Sequence, residues 1–293
     1  MSIFAAHAVP AGPLSVRWLS YDIPPQRAGV LSSGRVELQN TGAVAWDSRE
    51  GHGICLGYHW LDPLGNPIVW DGLLSAFPRV IAPGERVEVS LTIAGPTPPG
   101  RYQLAFDLVD GGRCWFSEVG NEPAEIEVAV STRLSRRRLR VQVTEGPDEL
   151  TRLTAEALAD QEEAVTPDGD ATAFLAAGCR PRPDWSRRVL DAHEEGYGVV
   201  AGAIDVLGGR RRRRRLRSLQ PWAPGFGRAP GWHRPLLCPS ITDDLLDQTG
   251  WLEPISGLPA MQPPAFPQTW ICDGRIVVAA PARALQPGDR PSD

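Results

Sequence analysis

Between Leu14 and Val130 apolar and polar residues alternate with a period of two, in short runs separated by turn residues every ten positions or so. Successive side chains of a strand point to opposite faces, so this period predicts half-buried strands and not helices. In GRVELQNTG, Val36 and Leu38 share one face, Arg35, Glu37 and Gln39 the other, and Asn40-Thr41-Gly42 ends the strand. Val87, Val89, Leu91 and Ile93 repeat the pattern against Arg86, Glu88, Ser90 and Thr92. Leu104, Phe106 and Leu108 follow the turn Pro98-Pro99-Gly100, and Ile126 and Val128 supply a last strand. Ile54, Leu56, Tyr58 and Trp60 form one arm of a hairpin that reverses over Pro63 to Pro67 and returns through Ile68 to Trp70.

Beyond Val130 the period changes. A basic segment, RLSRRRLR, precedes a short strand, a loop and a helix on which Leu150, Leu153, Ala157 and Leu158 recur at helical spacing. ATAFLAAGC then reads as a buried strand, SRRVLDAHEEG as a helix and YGVVAGAIDVL as another buried strand. The pattern therefore predicts a mainly β half followed by an α/β half. The first is an antiparallel β-sandwich of about seven strands, the immunoglobulin arrangement. The expected divisions are an N-terminal arm at 1–13, the sandwich at 14–130, a basic linker at 131–140, a small α/β unit with an incomplete sheet at 141–285 and a disordered tail at 286–293.

Composition narrows the chemistry. All 30 basic residues are arginine, which excludes a P-loop lysine, a Schiff base and a lysine general base. The net charge of −5 argues against general nucleic-acid binding, with the run Arg210 to Arg215 a local exception. Five singly placed cysteines with no CxxC pair suit neither a disulfide framework nor a zinc site, and read as reduced, mostly buried thiols. MSIFAAHAVPAG lacks a basic stretch before a long apolar run, and no stretch is apolar enough for a membrane helix. The expectation is a cytoplasmic protein, with contact at the inner face of the membrane open to the arginine run.

Four of the tryptophans in the first half, Trp46, Trp60, Trp70 and Trp115, raise sugar stacking, because flat aromatic faces match the apolar faces of pyranose rings. Trp60 is in phase with Ile54 and Leu56 and reads as core. Trp46 and Trp70, beside Asp47 and Asp71, read as loop residues open to a ligand. Asp243 and Asp244 after Thr242 read first as capping acids of a short helix. His193, Glu194 and Glu195 read as a solvated helix face, since adjacent helical residues do not face one another. Arg210, Arg211 and Arg212 would grip phosphate if the run is more than a charged loop.

The residues quoted carry two resemblances. LQNTGAVAW followed by FPRVIAPGERVEVSLTIAGPTPPGRYQLAFDLVDGGRCWFSEVG resembles the immunoglobulin-like domains appended to bacterial polysaccharide-export and glycan-assembly proteins and, more distantly, those of selective-autophagy receptors. It covers about 100 residues and implies a module that binds glycan or protein. In the second half, the Pro-x-Pro-x-Trp loop, Val-Val-Ala-Gly-Ala-Ile, CPSITDDLLDQTGWLEP and TWICDGRIVVAAPARAL resemble a GT-A glycosyltransferase of the large family 2 type.

The departures from that second pattern are as informative. Where the resemblance implies carboxylates holding a divalent cation, the chain has Ala176-Ala177-Gly178-Cys179, and GLPAMQPPAFPQTW offers no carboxylate base. The resemblance thus implies a non-catalytic, glycosyltransferase-like accessory protein of cell-surface glycan assembly, without a cofactor, partnered by glycan or a glycan-assembly protein. The competing expectation is an active glycosyltransferase that uses a nucleotide sugar and a cation such as manganese, with acids drawn from Asp184, Asp205, Asp243 or Glu253.

Overall fold

A computed structural model describes residues 1–5, 12–49, 53–111, 113–207, 228–229, 235–248, 250–255, 257–264 and 270–281. The chain divides into two compact units, Met1–Ser131 and Thr132–Asp293.

The first unit contains β1 (Ser2–Ile3), β2 (Val16–Asp22), β3 (Gln26–Arg27), β4 (Leu31–Asn40), β5 (Ile54–Leu61), β6 (Pro67–Val69), β7 (Arg86–Ala94), β8 (Gly100–Asp110), β9 (Cys114–Trp115) and β10 (Ala124–Ser131). They form a four-stranded sheet, β1-β2-β4-β7, and a six-stranded sheet, β3-β10-β8-β5-β6, with β9 added on β8. Pairing is antiparallel apart from the short parallel contact of β3 with β10. The expected alternation holds: Val36, Leu38, Val87, Val89, Leu91 and Ile93 lie buried in the core, as do Leu56, Tyr58, Trp60, Leu104, Phe106 and Leu108. Hydrophobic burial between the two sheets is the main stabilising term of such a layer pair.

Two side chains tie the sheets together. The Trp60 indole N–H donates to the Ala94 carbonyl at 2.9 Å, and the Ala94 N–H donates to the Tyr58 hydroxyl at 2.9 Å. The turn motifs have equally local causes. Asn40 donates to the carbonyls of Val44 and Ile81, at 2.9 and 3.0 Å, while its own carbonyl accepts the Gly42 N–H at 3.0 Å. Tyr102 donates to the Pro98 carbonyl at 2.6 Å, locking the turn before β8. The N-terminal arm is partly folded in: Ser2 and Ile3 pair with β2, and Phe4 joins the core.

The second unit contains β11 (Leu139–Val143), β12 (Ala171–Leu175), β13 (Arg180–Pro181), β14 (Val199–Leu207), β15 (Arg228–Ala229), β16 (Leu236–Leu237), β17 (Ser240–Thr242), β18 (Trp251–Ile255), β19 (Leu258–Met261) and β20 (Trp270–Pro281), with helices α1 (Asp148–Ala159) and α2 (Trp185–Glu195) and a short helix, Asp243–Leu246. A mixed seven-stranded sheet runs β11-β12-β17-β14-β20-β13, with β15 on β20, and a three-stranded sheet runs β16-β19-β18. The sheet is larger than the incomplete one expected, because β17 enters antiparallel between β12 and β14.

The segment read as a basic linker is part of this unit. The Arg133 guanidinium is buried, donating to Thr242 Oγ1 and the Gly196 carbonyl, both at 3.1 Å, and pairing with Asp244 at 2.5 Å. Arg136 pairs with Asp170, Arg138 with Asp168, and Arg137 with Glu163, Asp191 and Glu194. A run of arginines reads as a solvated linker only while the acids that neutralise it are out of sight in sequence. Among the described residues no helix is long and apolar enough to cross a membrane.

Candidate functional site

The period-two pattern of β5 sends Ile54, Leu56, Tyr58 and Trp60 into the core and Cys55, Gly57 and His59 to the opposite, outer face of the six-stranded sheet. On the neighbouring strand Val109, Asp107 and Ala105 lie directly across from those three, so one outer patch is built from both strands. The patch is not bare. Trp70, just after β6, lies over His59 with ring centroids 4.1 Å apart and planes 18° from parallel, while Trp115 meets His59 edge-on at 4.5 Å. Gly57 is required for this: a Cβ there would stand 2.8 Å from the Trp115 ring.

His59 is consequently buried although it points away from the core. Its Nδ1 contacts the Trp70 carbonyl, which as acceptor places the proton on Nδ1. Nε2 has no hydrogen-bond partner among the described residues and lies 3.8 Å from Asp107 Oδ2. Asp107, also buried, is held by two backbone amides, Leu108 N–H at 2.7 Å and Ser117 N–H at 3.2 Å. The outward face of Trp70 stays open, the residue being 46% exposed, with exposed Ile68 and Leu74 near it in sequence. An indole whose inner face is fixed and whose outer face is wet is a preorganised stacking platform.

One repeat farther along the strands, about 7 Å by strand geometry, Gln103 pairs across from Leu61 and Glu127. There Gln103, Glu127, Arg101, Ala129, Pro63 and Val128 line a cavity of about 350 Å³. The outer face thus offers an aromatic platform and, farther along the strands, a recess that mixes apolar side chains with amide, carboxylate and guanidinium groups.

No family model matches the chain, and no curated protein does. Three solved structures that resemble it each overlap less than half of it. The C-terminal domain of wzt shares 10% identity over 45% of this chain and 82% of that one, TM-score 0.31. The putative ApaA protein from Bordetella pertussis shares 20% over 41% and 98%, TM-score 0.25. A family 123 glycoside hydrolase from Clostridium perfringens shares 11% over 45% and 28%, TM-score 0.23. Likeness at these scores carries nothing about ligand or activity.

The expected site residues fare unequally. Trp70 and Asp71 are exposed, and Trp70 belongs to the platform just described. Trp46 is a correction: it is fully buried, stacked on Phe77 at 5.4 Å and edge-on to Phe116 at 6.1 Å, because an isolated bridge with Ile81 turns it inward. A ligand cannot reach it. Asp47 is partly exposed and forked by Arg49, whose side-chain and backbone donors hold its carboxyl down to about 2. Arg210, Arg211 and Arg212 lie outside the described residues. His59, Asp107, Gln103 and Glu127 were not anticipated as site residues.

The acids of the competing catalytic reading are not brought together. Asp184 sits at the start of α2 paired with Arg188 at 2.5 Å, and Asp243 pairs with Arg140 at 3.1 Å. Asp205 lies six residues along β14 from Val199, about 20 Å at strand rise, whereas Asp243 follows β17 next to Val199's partner Ile241. Glu253 is exposed on β18 in the separate three-stranded sheet. His193, read as solvated, is buried: it bonds the Tyr197 carbonyl at 2.7 Å through Nδ1 and Ser240 Oγ at 2.8 Å through Nε2. Burial, with Arg133 nearby, pushes its pKa down to about 4. Both side chains of this Ser-His contact are buried.

Proposed function

We propose that the first unit is a carbohydrate-binding module, immunoglobulin-like in arrangement, whose outer sheet face holds a glycan, and that the chain is a non-catalytic accessory protein of cell-surface glycan assembly. The observation that carries this reading is the Trp70 platform. Its inner face rests on buried His59 and the residue is half exposed, while Gln103 stands one strand repeat along β8 from Ala105, His59's partner, with Glu127 across from it on β10 and Arg101 one repeat farther. A pyranose presents an apolar face for stacking and a rim of hydroxyls for hydrogen bonds, which is the same pairing of chemistries.

The second unit, in this reading, is the remnant of a GT-A-type transferase. What supports it is the strand, loop, helix and strand series β12, α2 and β14, together with apolar and thiol side chains at Ala176 to Cys179 where the resemblance implies metal-binding carboxylates. A cytoplasmic location belongs to the same proposal. The test is binding of the full chain to an array of cell-surface oligosaccharides, alongside Trp70→Ala. Retention of specific glycans by the native chain and their loss in the variant support the proposal; no glycan bound, or equal binding by both, defeats it.

A further inference from the structure

In the second unit two cysteines far apart in sequence meet. Cys179 closes the loop that follows β12, and Cys238 lies in the turn between β16 and β17. Ala173 pairs with Ser240 and the Phe174 N–H donates to the Pro239 carbonyl at 2.9 Å, which sets the turn holding Cys238 against the end of β12, and the two thiols are within hydrogen-bonding reach of each other. Both are buried, Cys179 at 0% and Cys238 at 5% exposure, in one apolar cluster with Ala176, Leu237 and Leu258. The backbone holds each in place. Cys179 N–H donates to the Ala176 carbonyl at 3.0 Å, and Cys238 N–H to the Pro259 carbonyl at 2.9 Å.

Cys238 also has a φ of +48°, alone in that region among the described non-glycine residues. A side chain in the left-handed region is strained, which is why glycine usually takes such positions. A cysteine kept there against that strain, with its sulfur on a second cysteine, gives the thiol a use beyond filling space.

We propose that Cys179 and Cys238 are a dithiol that closes reversibly to a disulfide, fastening the loop after β12 to the turn before β17. With a small disulfide as oxidant the reaction balances. The Cys179 thiolate attacks one oxidant sulfur and expels the first small thiol, giving a mixed disulfide. The Cys238 thiol, losing its proton, then attacks the Cys179 sulfur and expels the second small thiol. Two protein thiols are oxidised and one small disulfide is reduced to two thiols. The hydrogen bond that Cys238 donates favours the thiolate of Cys179 and, together with burial, disfavours that of Cys238, which assigns the first attack to Cys179. Because both sulfurs are covered, the exchange waits on local opening of the loop. Once closed, the bond ties residues about 60 apart, a loop length at which a cross-link substantially restricts the unfolded chain.

The test is to incubate the native full chain with oxidised glutathione at neutral pH, quench with acid, block remaining thiols with N-ethylmaleimide in denaturant and map tryptic peptides by mass. The expected product is one cross-linked pair holding Cys179 and Cys238, two hydrogens lighter than the free peptides together and separated by dithiothreitol. Cys55, Cys114 and Cys272 should carry the maleimide. Cys179→Ser should abolish the pair, and so should Cys238→Gly, which suits the positive φ and keeps the fold. Maleimide or glutathione on both Cys179 and Cys238, or a cross-link to any other cysteine in the native chain, would overturn the proposal.

Discussion

His193 makes the stability of the second unit depend on pH in a calculable way. In the folded unit its pKa is pushed from 6.5 down to about 4, first by burial and then by the Arg133 guanidinium; the Tyr197 carbonyl and the Asp244 carboxylate oppose the shift. The unfolded chain therefore binds a proton near pH 6.5 that the folded chain accepts only near pH 4. The stabilising contribution is complete above about pH 6.5, falls as pH drops through that window, and is gone below about pH 4. At 1.36 kcal/mol per pKa unit the whole loss is about 3 kcal/mol, of which about 2 kcal/mol falls between pH 7 and pH 5. Opening of the unit should rise roughly twentyfold over that interval, by the same conversion.

Hydrogen exchange followed by mass spectrometry, corrected for intrinsic rates, reads this on the peptides covering α2 and β14 without interference from the first unit. His193→Gln keeps a donor and an acceptor but cannot titrate. The variant should lose about 1 to 3 kcal/mol at pH 7 through poorer hydrogen bonds, yet show a much flatter pH dependence from 7 to 5. Equal slopes in the native chain and the variant would refute the assignment of the effect to this imidazole.

Further outcomes follow from the core and the boundary. Trp60→Ala should lower stability of the first unit by about 3 to 5 kcal/mol, read by urea denaturation, since its indole is buried and bonded to Ala94. Arg133→Met should destabilise the second unit by about 1 to 3 kcal/mol, and limited proteolysis of the native chain should spare residues 133–140, which the variant exposes. Calorimetry with sugar nucleotides and manganese, followed by a turnover assay, should show no transfer; turnover abolished by a single substitution at Asp184, Asp205, Asp243 or Glu253 would restore the catalytic reading.

How far the sequence could be read depended on the range of the interactions. Alternation located the strands of the first unit because each residue's face is set by its neighbour in sequence, and it placed His59 on the outer side for the same reason. It could not show that Trp70, eleven positions on, would fold back over that histidine. Trp46 misled because loop residues flank it, and only its bridge to Ile81 turns it inward. The arginines at 133–138 looked like a linker because their acids, from Glu163 to Asp244, follow 26 or more residues later. The recess at Gln103 and Glu127 was hidden in strands whose polar positions look like any wet face.

The central claim is that the outer face of the six-stranded sheet, with Trp70 as its platform, is a glycan site. The most direct measurement is to take the oligosaccharide best retained from a cell-surface array and titrate it by calorimetry into the native chain, Trp70→Ala and Trp46→Ala. Trp70→Ala should lose binding at least tenfold, about 1.4 kcal/mol or more, while staying folded with a smaller drop in melting temperature than Trp46→Ala, whose indole is fully buried. Undiminished binding by a folded Trp70→Ala chain would contradict the claim.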